Sequence, residues 1–180
     1  QGITTSCSSL VTNKSILLNT HYPASLLVTR DIIAAQVPGL VTLIIALIFG
    51  FLIGQSEFWI IFIIPFIWLL LLFFVIGLGL IISCFSLLVR DIQHFLGVII
   101  MLATVLSPYA YTPEMVPAAL KIIIYMNPIS YFVLMFQQLI VYSNFPDIEL
   151  LIFALFLSIS FLYLGIKVFK KTKQIYIDHV

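Results

Sequence analysis

The sequence is poor in charged residues, which make up only 8% of its 180 positions, whereas hydrophobic residues make up 63%. A soluble domain covers itself with polar side chains, and this composition does not supply enough of them. A transmembrane barrel is also disfavoured, because barrel strands alternate apolar with polar residues and the apolar runs here are continuous. The composition therefore predicts an all-α, polytopic membrane protein.

Cysteine is scarce and motifs of catalysis are absent from the sequence. The two cysteines, Cys7 and Cys84, do not suggest a disulfide framework. The sequence contains no metal-ligand spacing, phosphate-binding loop, dinucleotide glycine pattern or catalytic triad motif. We therefore expect no metal site and no nucleic-acid partner. The chain starts at Gln1 with neither a signal peptide nor a complete span, so we expect that the N-terminal part of a longer protein is missing.

Residues 106–132 carry four prolines although they lie between long apolar runs. Proline removes a backbone donor and clashes with the preceding helical turn, so this stretch cannot form one straight span. We predict a short helix, a break at Asn127 and Pro128, and a second short helix. Broken backbone at membrane depth must be buried in protein or line a cavity. The stretch is therefore the first candidate for a gate.

The charge-free runs predict where the chain crosses the membrane, since about 20 helical residues span the hydrocarbon core. We predict one transmembrane domain with a cytoplasmic amphipathic region at 1–31, spans at 32–56, 58–89, 92–108 and 150–166, a re-entrant hairpin at 109–146 and a cytoplasmic tail at 167–180. Residues 1–20 have two interpretations, a helix along the membrane surface or a poorly ordered end.

Two local expectations concern the first two spans. Pro23 suits the first turn of a short amphipathic helix that lies just outside the membrane, before the first span. Gly77 and Gly79 permit a close contact between helices, although a GLG sequence is a weak signal for it.

The positions of the basic residues decide between a re-entrant hairpin and a further span. If the hairpin returns to the side from which it entered, Arg30, Arg90 and the lysines of the tail lie together on the cytoplasmic side. If it crosses, the tail lysines lie opposite Arg90 and the positive-inside rule is broken. We therefore predict four spans, a re-entrant hairpin and a cytoplasmic C-terminus.

Several short motifs follow one another in an order that is typical of one family. They are Ser9-Leu10-Val11-Thr12-Asn13, Tyr22-Pro23, Arg90-Asp91, LSPYAYTPEMVP at 106–117, and Asn127-Pro128-Ile129-Ser130-Tyr131. The set resembles the permease subunits of polysaccharide ABC exporters, members of the ABC-2 transporter family that move O-antigen, capsular chains or wall teichoic acid. The resemblance covers nearly the whole chain, and its specificity lies in the order of the motifs.

The resemblance implies an ABC-2 type permease fold with re-entrant gate helices on the extracytoplasmic side, in the bacterial inner (plasma) membrane. It also implies a homodimer of non-catalytic subunits without a cofactor, each contacting a separate ABC ATPase that binds ATP and Mg. The substrate would be a glycan on undecaprenyl diphosphate within the membrane lipid. The residues implied in ATPase coupling are His21, Tyr22, Pro23, Ala24, Ser25, Arg90 and Asp91.

The residues predicted to form the substrate path and gate are Tyr109, Tyr111, Pro113, Glu114, Met115, Pro117, Tyr125, Asn127, Pro128 and Tyr131. Aromatic faces meet the C–H surfaces of sugars and their polar tips reach the hydroxyls, so the tyrosines suit a sliding glycan. Alternatively, they are residues of the interfacial aromatic belt. Glu114 is expected to cap the helix that follows it, and Asn127 to satisfy backbone groups that Pro128 leaves free.

Two other functions stay open. An ABC-2 permease that exports small drugs or lipids would have a similar fold, but its gene would neighbour resistance genes rather than glycosyltransferase genes. An intramembrane enzyme acting on lipid-linked substrates would need ionisable residues clustered inside the spans, and the sequence shows no such cluster. The leading hypothesis is therefore transport of lipid-linked polysaccharide.

Overall fold

The computed structural model describes residues 1–13, 23–53, 57–89 and 92–179, and every regular element in these ranges is helical. The α-helices are α1 (Gly2–Thr12), α2 (Ala24–Leu52), α3 (Ile60–Leu88), α4 (Ile92–Leu106), α5 (Lys121–Met126), α6 (Pro128–Ile140) and α7 (Ile148–His179). Two 3-10 turns, Pro113–Met115 and Ala118–Leu120, precede α5. The predicted all-α fold is confirmed.

Three of the described helices are long and apolar enough to cross a bilayer, namely α2, the Ile60–Ser86 part of α3 and the Ile148–Thr172 part of α7. Helix α4 has only 15 residues, which gives it a length of about 22 Å against a hydrocarbon core of about 30 Å. A polytopic helical membrane protein is therefore confirmed, and the predicted number of spans stays a prediction.

Two helices continue where the sequence suggested a boundary. In place of a short helix before residue 32 and a separate span after it, α2 is one helix of 29 residues. No glycine or proline interrupts the sequence between Ala24 and Pro38, so nothing ends the helix there. Helix α7 likewise runs on through the predicted tail, since no glycine or proline follows Gly165.

Helix α1 distinguishes the two interpretations of the first residues, as far as it is described. Residues 2–12 are helical and bury one face, which includes Ile3, Ser6, Cys7 and Leu10. The interpretation as a helix therefore holds for this part, and residues 14–20 lie outside the described ranges.

The chain forms two compact units. The first consists of Gln1–Leu40, Leu72–Gly97 and Ser158–Val180, and the second of Val41–Leu71 and Val98–Leu157. In the first unit, the rings of Phe74 and Phe161 meet edge to face with centroids 5.1 Å apart. There, α3 and α7 approach so closely that a Cβ atom on Gly77 would overlap the backbone of Phe161. The contact expected at Gly77 is thus present.

Candidate substrate path at the proline-rich hairpin

The break between α5 and α6 is built around Asn127, in the second unit. Its backbone is extended, Pro128 begins α6, and the two helical segments are bent by 103° to each other. The Oδ1 atom of Asn127 accepts a hydrogen bond from the backbone N–H of Ile129 at 3.1 Å. This is the usual bond of a helix N-cap. The break lies where the sequence predicts it, and Asn127 satisfies one backbone N–H of the new helix; its place in a substrate path or gate stays a prediction.

The other end of the Asn127 side chain attaches the break to the end of α4. Its Nδ2 atom donates to the carbonyl oxygen of Ala103 at 2.6 Å and to Oγ of Ser107 at 2.9 Å. Oγ of Ser107 lies 3.4 Å from Oγ of Ser130 in α6. All three polar side chains are buried, so their hydrogen bonds avoid the cost of unpaired polar groups. The sequence singled out Ser107 and Ser130 only as parts of motifs, although small polar residues in an apolar context were a usable signal.

Side-chain donors bind the backbone carbonyl oxygens around the loop between α4 and the first 3-10 turn. Nε2 of Gln137 in α6 donates to the carbonyl oxygens of Pro108 and Tyr111. The Tyr111 hydroxyl donates to the carbonyl oxygen of Leu106 at 2.8 Å. Sequence reasoning did not select Gln137, although its amide follows a run of apolar residues in α6 and needs hydrogen-bond partners.

The four predicted path tyrosines fall into two pairs. The hydroxyls of Tyr111 and Tyr131 are bound to backbone carbonyls, that of Tyr131 to Tyr125 at 2.8 Å. The ring of Tyr131 also stacks on Phe153 with centroids 5.4 Å apart. Tyr109 and Tyr125 instead expose 60% and 47% of their surface. The exposed pair is thus available to a ligand, while Tyr111 and Tyr131 brace the hairpin.

Glu114 does not cap the following helix, so that prediction is wrong. No side chain caps the second 3-10 turn or α5. Glu114 is instead a residue of the first 3-10 turn. The hydrogen bond from the Thr112 side chain lowers the pKa of Glu114, and its own backbone N–H contributes in the same direction. Met115 beside it is strongly exposed, and Pro117 precedes the second turn.

A cavity of about 680 Å³ lies beside the hairpin. Its walls are Pro113, Glu114, Tyr125, Leu134, Gln137, Gln138, Tyr142, Phe145, Pro146, Asp147, Ile148, Glu149 and Leu150. Of the predicted path residues it brings together Pro113, Glu114 and Tyr125, and the other seven are not among its walls. The lining therefore combines aromatic rings, side-chain amides and carboxylates, with no basic residue among these walls.

A pair of reciprocal hydrogen bonds fixes one wall of this cavity. Nε2 of Gln138 donates to Oδ2 of Asp147 at 2.6 Å, and the backbone N–H of Asp147 donates to Oε1 of Gln138 at 2.9 Å. The bonds connect α6 to the residue that precedes α7, across a turn in which Ser143 has a positive φ of 51°. Since both ends are held, the amide and the carboxylate have defined positions.

The predicted ATPase-coupling residues are only partly described. His21, Tyr22, Arg90 and Asp91 lie outside the described residues. Pro23 directly precedes α2, and its carbonyl oxygen accepts the N–H of Leu26 at 2.9 Å. Ala24 and Ser25 are the first residues of that helix. Their contact with an ATPase stays a prediction.

Asp31 of α2 connects this helix with α1. Its Oδ2 accepts hydrogen bonds from Oγ of Ser9 at 2.6 Å and Nδ2 of Asn13 at 2.9 Å. Its Oδ1 pairs with Arg30 at 2.7 Å, and Arg30 also donates to Oδ1 of Asn13. The sequence singled out Ser9 and Asn13 only as parts of a motif, without this acidic partner.

Comparison with known proteins gives one family and named relatives. The family model described as ABC-2 type transporter matches residues 9–141. Two proteins of Klebsiella pneumoniae, each named O-antigen export system permease protein RfbA, are 28% and 27% identical to the chain over 174 residues. These alignments cover 94% of this chain and 66% of each relative, so the chain spans just under two thirds of their length.

Proposed function

The chain belongs to the ABC-2 type transporter family, and on that premise we propose that it is the membrane-spanning subunit of an ATP-driven exporter of lipid-linked polysaccharide. The polymer would be of the O-antigen, capsule or teichoic acid type and would cross the bacterial inner membrane. A permease subunit of this kind is non-catalytic, and ATP would be hydrolysed by a separate subunit. The names of the two Klebsiella relatives support an O-antigen among these polymers.

The observation that carries the proposal is the chemistry of the cavity beside the hairpin. Sugar hydroxyls donate to carboxylates and accept from amide N–H groups, and the cavity presents Asp147 and Gln138 for these roles. The rings of Tyr125 and Tyr142 provide faces for the C–H surfaces of a sugar. A cavity of about 680 Å³ is within the usual size range of small-ligand sites.

The charge of the same cavity favours a neutral or weakly charged glycan over a polyanion. Its walls carry the carboxyl groups of Glu114, Asp147 and Glu149 without a basic side chain. A phosphate about 8 Å from one carboxylate would be repelled by about 2 kcal/mol at an effective dielectric constant near 20, before screening by salt. Teichoic acid carries one phosphate in each repeat, so a neutral O-antigen type of polymer fits better.

The proposal includes partners and an orientation. Two copies of the chain would enclose the path, and each would contact an ABC ATPase through a coupling region that includes Pro23, Ala24 and Ser25. The hairpin would be re-entrant from the extracytoplasmic side, and the C-terminus would be cytoplasmic. The substrate would be held in the membrane by undecaprenyl diphosphate. The positive-inside rule supports this orientation.

Deletion of the gene tests the proposal directly. We expect polymer to accumulate inside the cell and to disappear from its surface, with recovery when the intact gene is returned. If the deletion strain has normal surface polymer but becomes sensitive to drugs, the alternative of a small-molecule or lipid exporter replaces the proposal.

A pair of variants tests the cavity itself. Tyr142→Ala removes a ring from its walls and is expected to slow export roughly two- to tenfold, the effect of one aromatic contact of about 0.5–1.5 kcal/mol. Tyr163→Ala removes a ring that is exposed on α7 and does not line the cavity, and should leave export unchanged. Pulse-labelled polymer that reaches the cell surface is the measurement. Equal rates of export in the two variants would show that the polymer does not pass through this cavity.

A further inference from the structure

A second cavity, of about 380 Å³, lies between α2, α3 and α7 in the first unit. Phe73 and Ile76 of α3 and Leu162 and Ile166 of α7 give it mainly apolar walls. Leu26 contributes from α2, which is itself long and apolar enough to span a bilayer. In a membrane protein the molecules that surround such a helix are lipids, so a hydrocarbon chain is the available apolar occupant.

One positively charged side chain lines this apolar cavity. Lys170 is among its walls, and no acidic residue is. The amine of Lys167, one turn earlier, lies instead 5.8 Å from the ring centre of Tyr163. The hydroxyl of Thr29, also in the wall, donates to the carbonyl oxygen of Ser25 at 2.8 Å. The occupant that matches these walls is therefore apolar over most of its length and negative at one end.

We propose that this cavity binds one anionic phospholipid, with an acyl chain along the apolar walls and the phosphate beside Lys170. Basic residues near the membrane surface attract anionic headgroups by about 1 kcal/mol each, which corresponds to about fivefold in affinity. The site is separate from the polysaccharide path, since it shares no residue with the cavity at the hairpin. It would be a binding site for a lipid of the surrounding membrane and not for the exported polymer.

The test counts bound lipid by native mass spectrometry. The full-length protein is purified from a strain that makes no polymer, so that substrate cannot occupy the site. It is then titrated with phosphatidylglycerol and, separately, with phosphatidylcholine. We expect phosphatidylglycerol to bind more tightly than phosphatidylcholine. Lys170→Ala should weaken the binding of phosphatidylglycerol about fivefold. Lys171→Ala removes the same charge one residue further on, outside the walls of the cavity, and should have little effect.

A second pair of variants tests the apolar part. Leu26→Trp, at a half-exposed wall position, fills the cavity and should reduce binding of both lipids several-fold. Leu164→Trp adds the same ring at an exposed position of α7 outside the walls and should not. Equal effects of the two lysine variants overturn the proposal, as does equal affinity for both lipids. If Leu26→Trp leaves lipid binding unchanged, the proposal is also overturned, because the lipid then binds outside this cavity.

Discussion

Gly77 of α3 and Gly165 of α7 meet backbone to backbone: a Cβ atom added to Gly165 would lie 2.3 Å from the carbonyl oxygen of Gly77. Helices in lipid gain little from hydrophobic burial against each other, so close packing of small residues is a main source of their association. This contact therefore determines how closely α3 and α7 approach within the first unit.

Gly77→Ala is expected to destabilise the protein by about 1–3 kcal/mol, the usual cost of forcing extra atoms into a packed contact. The measurement is the midpoint of unfolding in detergent. Gly97→Ala is the control, because a Cβ atom at Gly97 would meet nothing within 4 Å. Alanine there should be neutral or stabilising through its higher helix propensity. Equal loss of stability in the two variants would contradict the close contact.

Ser9→Ala is expected to loosen α1 by about 1–2 kcal/mol, because it removes a hydrogen bond to the carboxylate of Asp31. Ser8→Ala removes a neighbouring hydroxyl that bonds only within α1, to the carbonyl oxygen of Thr5. Hydrogen exchange of residues 2–12 should therefore rise several-fold in Ser9→Ala and little in Ser8→Ala. Similar exchange in both would show that the hydrogen bond from Ser9 to Asp31 does not hold the helix.

Asn127→Ala should open the hairpin, because it removes an N-cap bond, which contributes about 0.5–2 kcal/mol, together with both bonds of Nδ2. Asn127→Asp keeps the acceptor for Ile129 but cannot donate to the carbonyl oxygen of Ala103. Because the Ser107 hydroxyl can donate to the new carboxylate, we expect this variant to open the hairpin less than Asn127→Ala does. The measurement is hydrogen exchange of residues 118–140 together with polymer export. If Asp at this position behaves as Asn does, the bond to the carbonyl oxygen of Ala103 contributes nothing.

Glu114 is expected to titrate below the usual pKa of a glutamate, which is about 4.3, because the Thr112 side chain hydrogen-bonds its carboxylate. Because this pKa is lower in the folded than in the unfolded protein, the hydrogen bond stabilises the fold at pH values above the unfolded-state pKa. This stabilisation is lost as the pH falls through the folded-state pKa. Thr112→Val should raise the titration midpoint of the Glu114 carboxyl group. Nuclear magnetic resonance of labelled glutamate, assigned with Glu114→Gln, measures it. A midpoint that Thr112→Val does not move would exclude this hydrogen bond.

Cysteine labelling tests the orientation. Cys7 and Cys84 are 1% and 3% exposed, so the native protein should react little with aqueous maleimide. Burial also raises the pKa of the Cys7 thiol and leaves less reactive thiolate. Met115→Cys, at a strongly exposed position, should react with an impermeant maleimide in intact cells. Val11→Cys, also exposed, should react only after the cells are opened. Labelling of Val11→Cys in intact cells would reverse the predicted topology.

The parts of the fold that depend on local chemistry could be predicted from the sequence. Continuous apolar runs gave the helical membrane class, and the pair Asn127-Pro128 gave the break, where the two helical segments are bent by 103°. The end of the helix expected before residue 32 was wrongly placed, because a change from charged to apolar residues does not itself interrupt backbone hydrogen bonds. Even a proline does not end a helix here without further causes, since α2 continues through Pro38 and α3 through Pro65.

The parts that depend on partners distant in sequence could not be predicted. Gly77 suggested a close contact, but nothing in its surroundings names Gly165, which lies on another helix. The cavity at the hairpin likewise combines Glu114 with Gln138 and Glu149, which come together only through the turn after α6. The local rule used for Glu114 failed because the 3-10 turn includes it as one of its own residues.

The bridge at Asp31 has a mechanical consequence. Because Asn13 bonds to both Arg30 and Asp31, the two ends of the intervening chain are fastened to each other through side chains. A load applied between Asn13 and Arg30 is then carried by side-chain hydrogen bonds that connect α1 directly with α2.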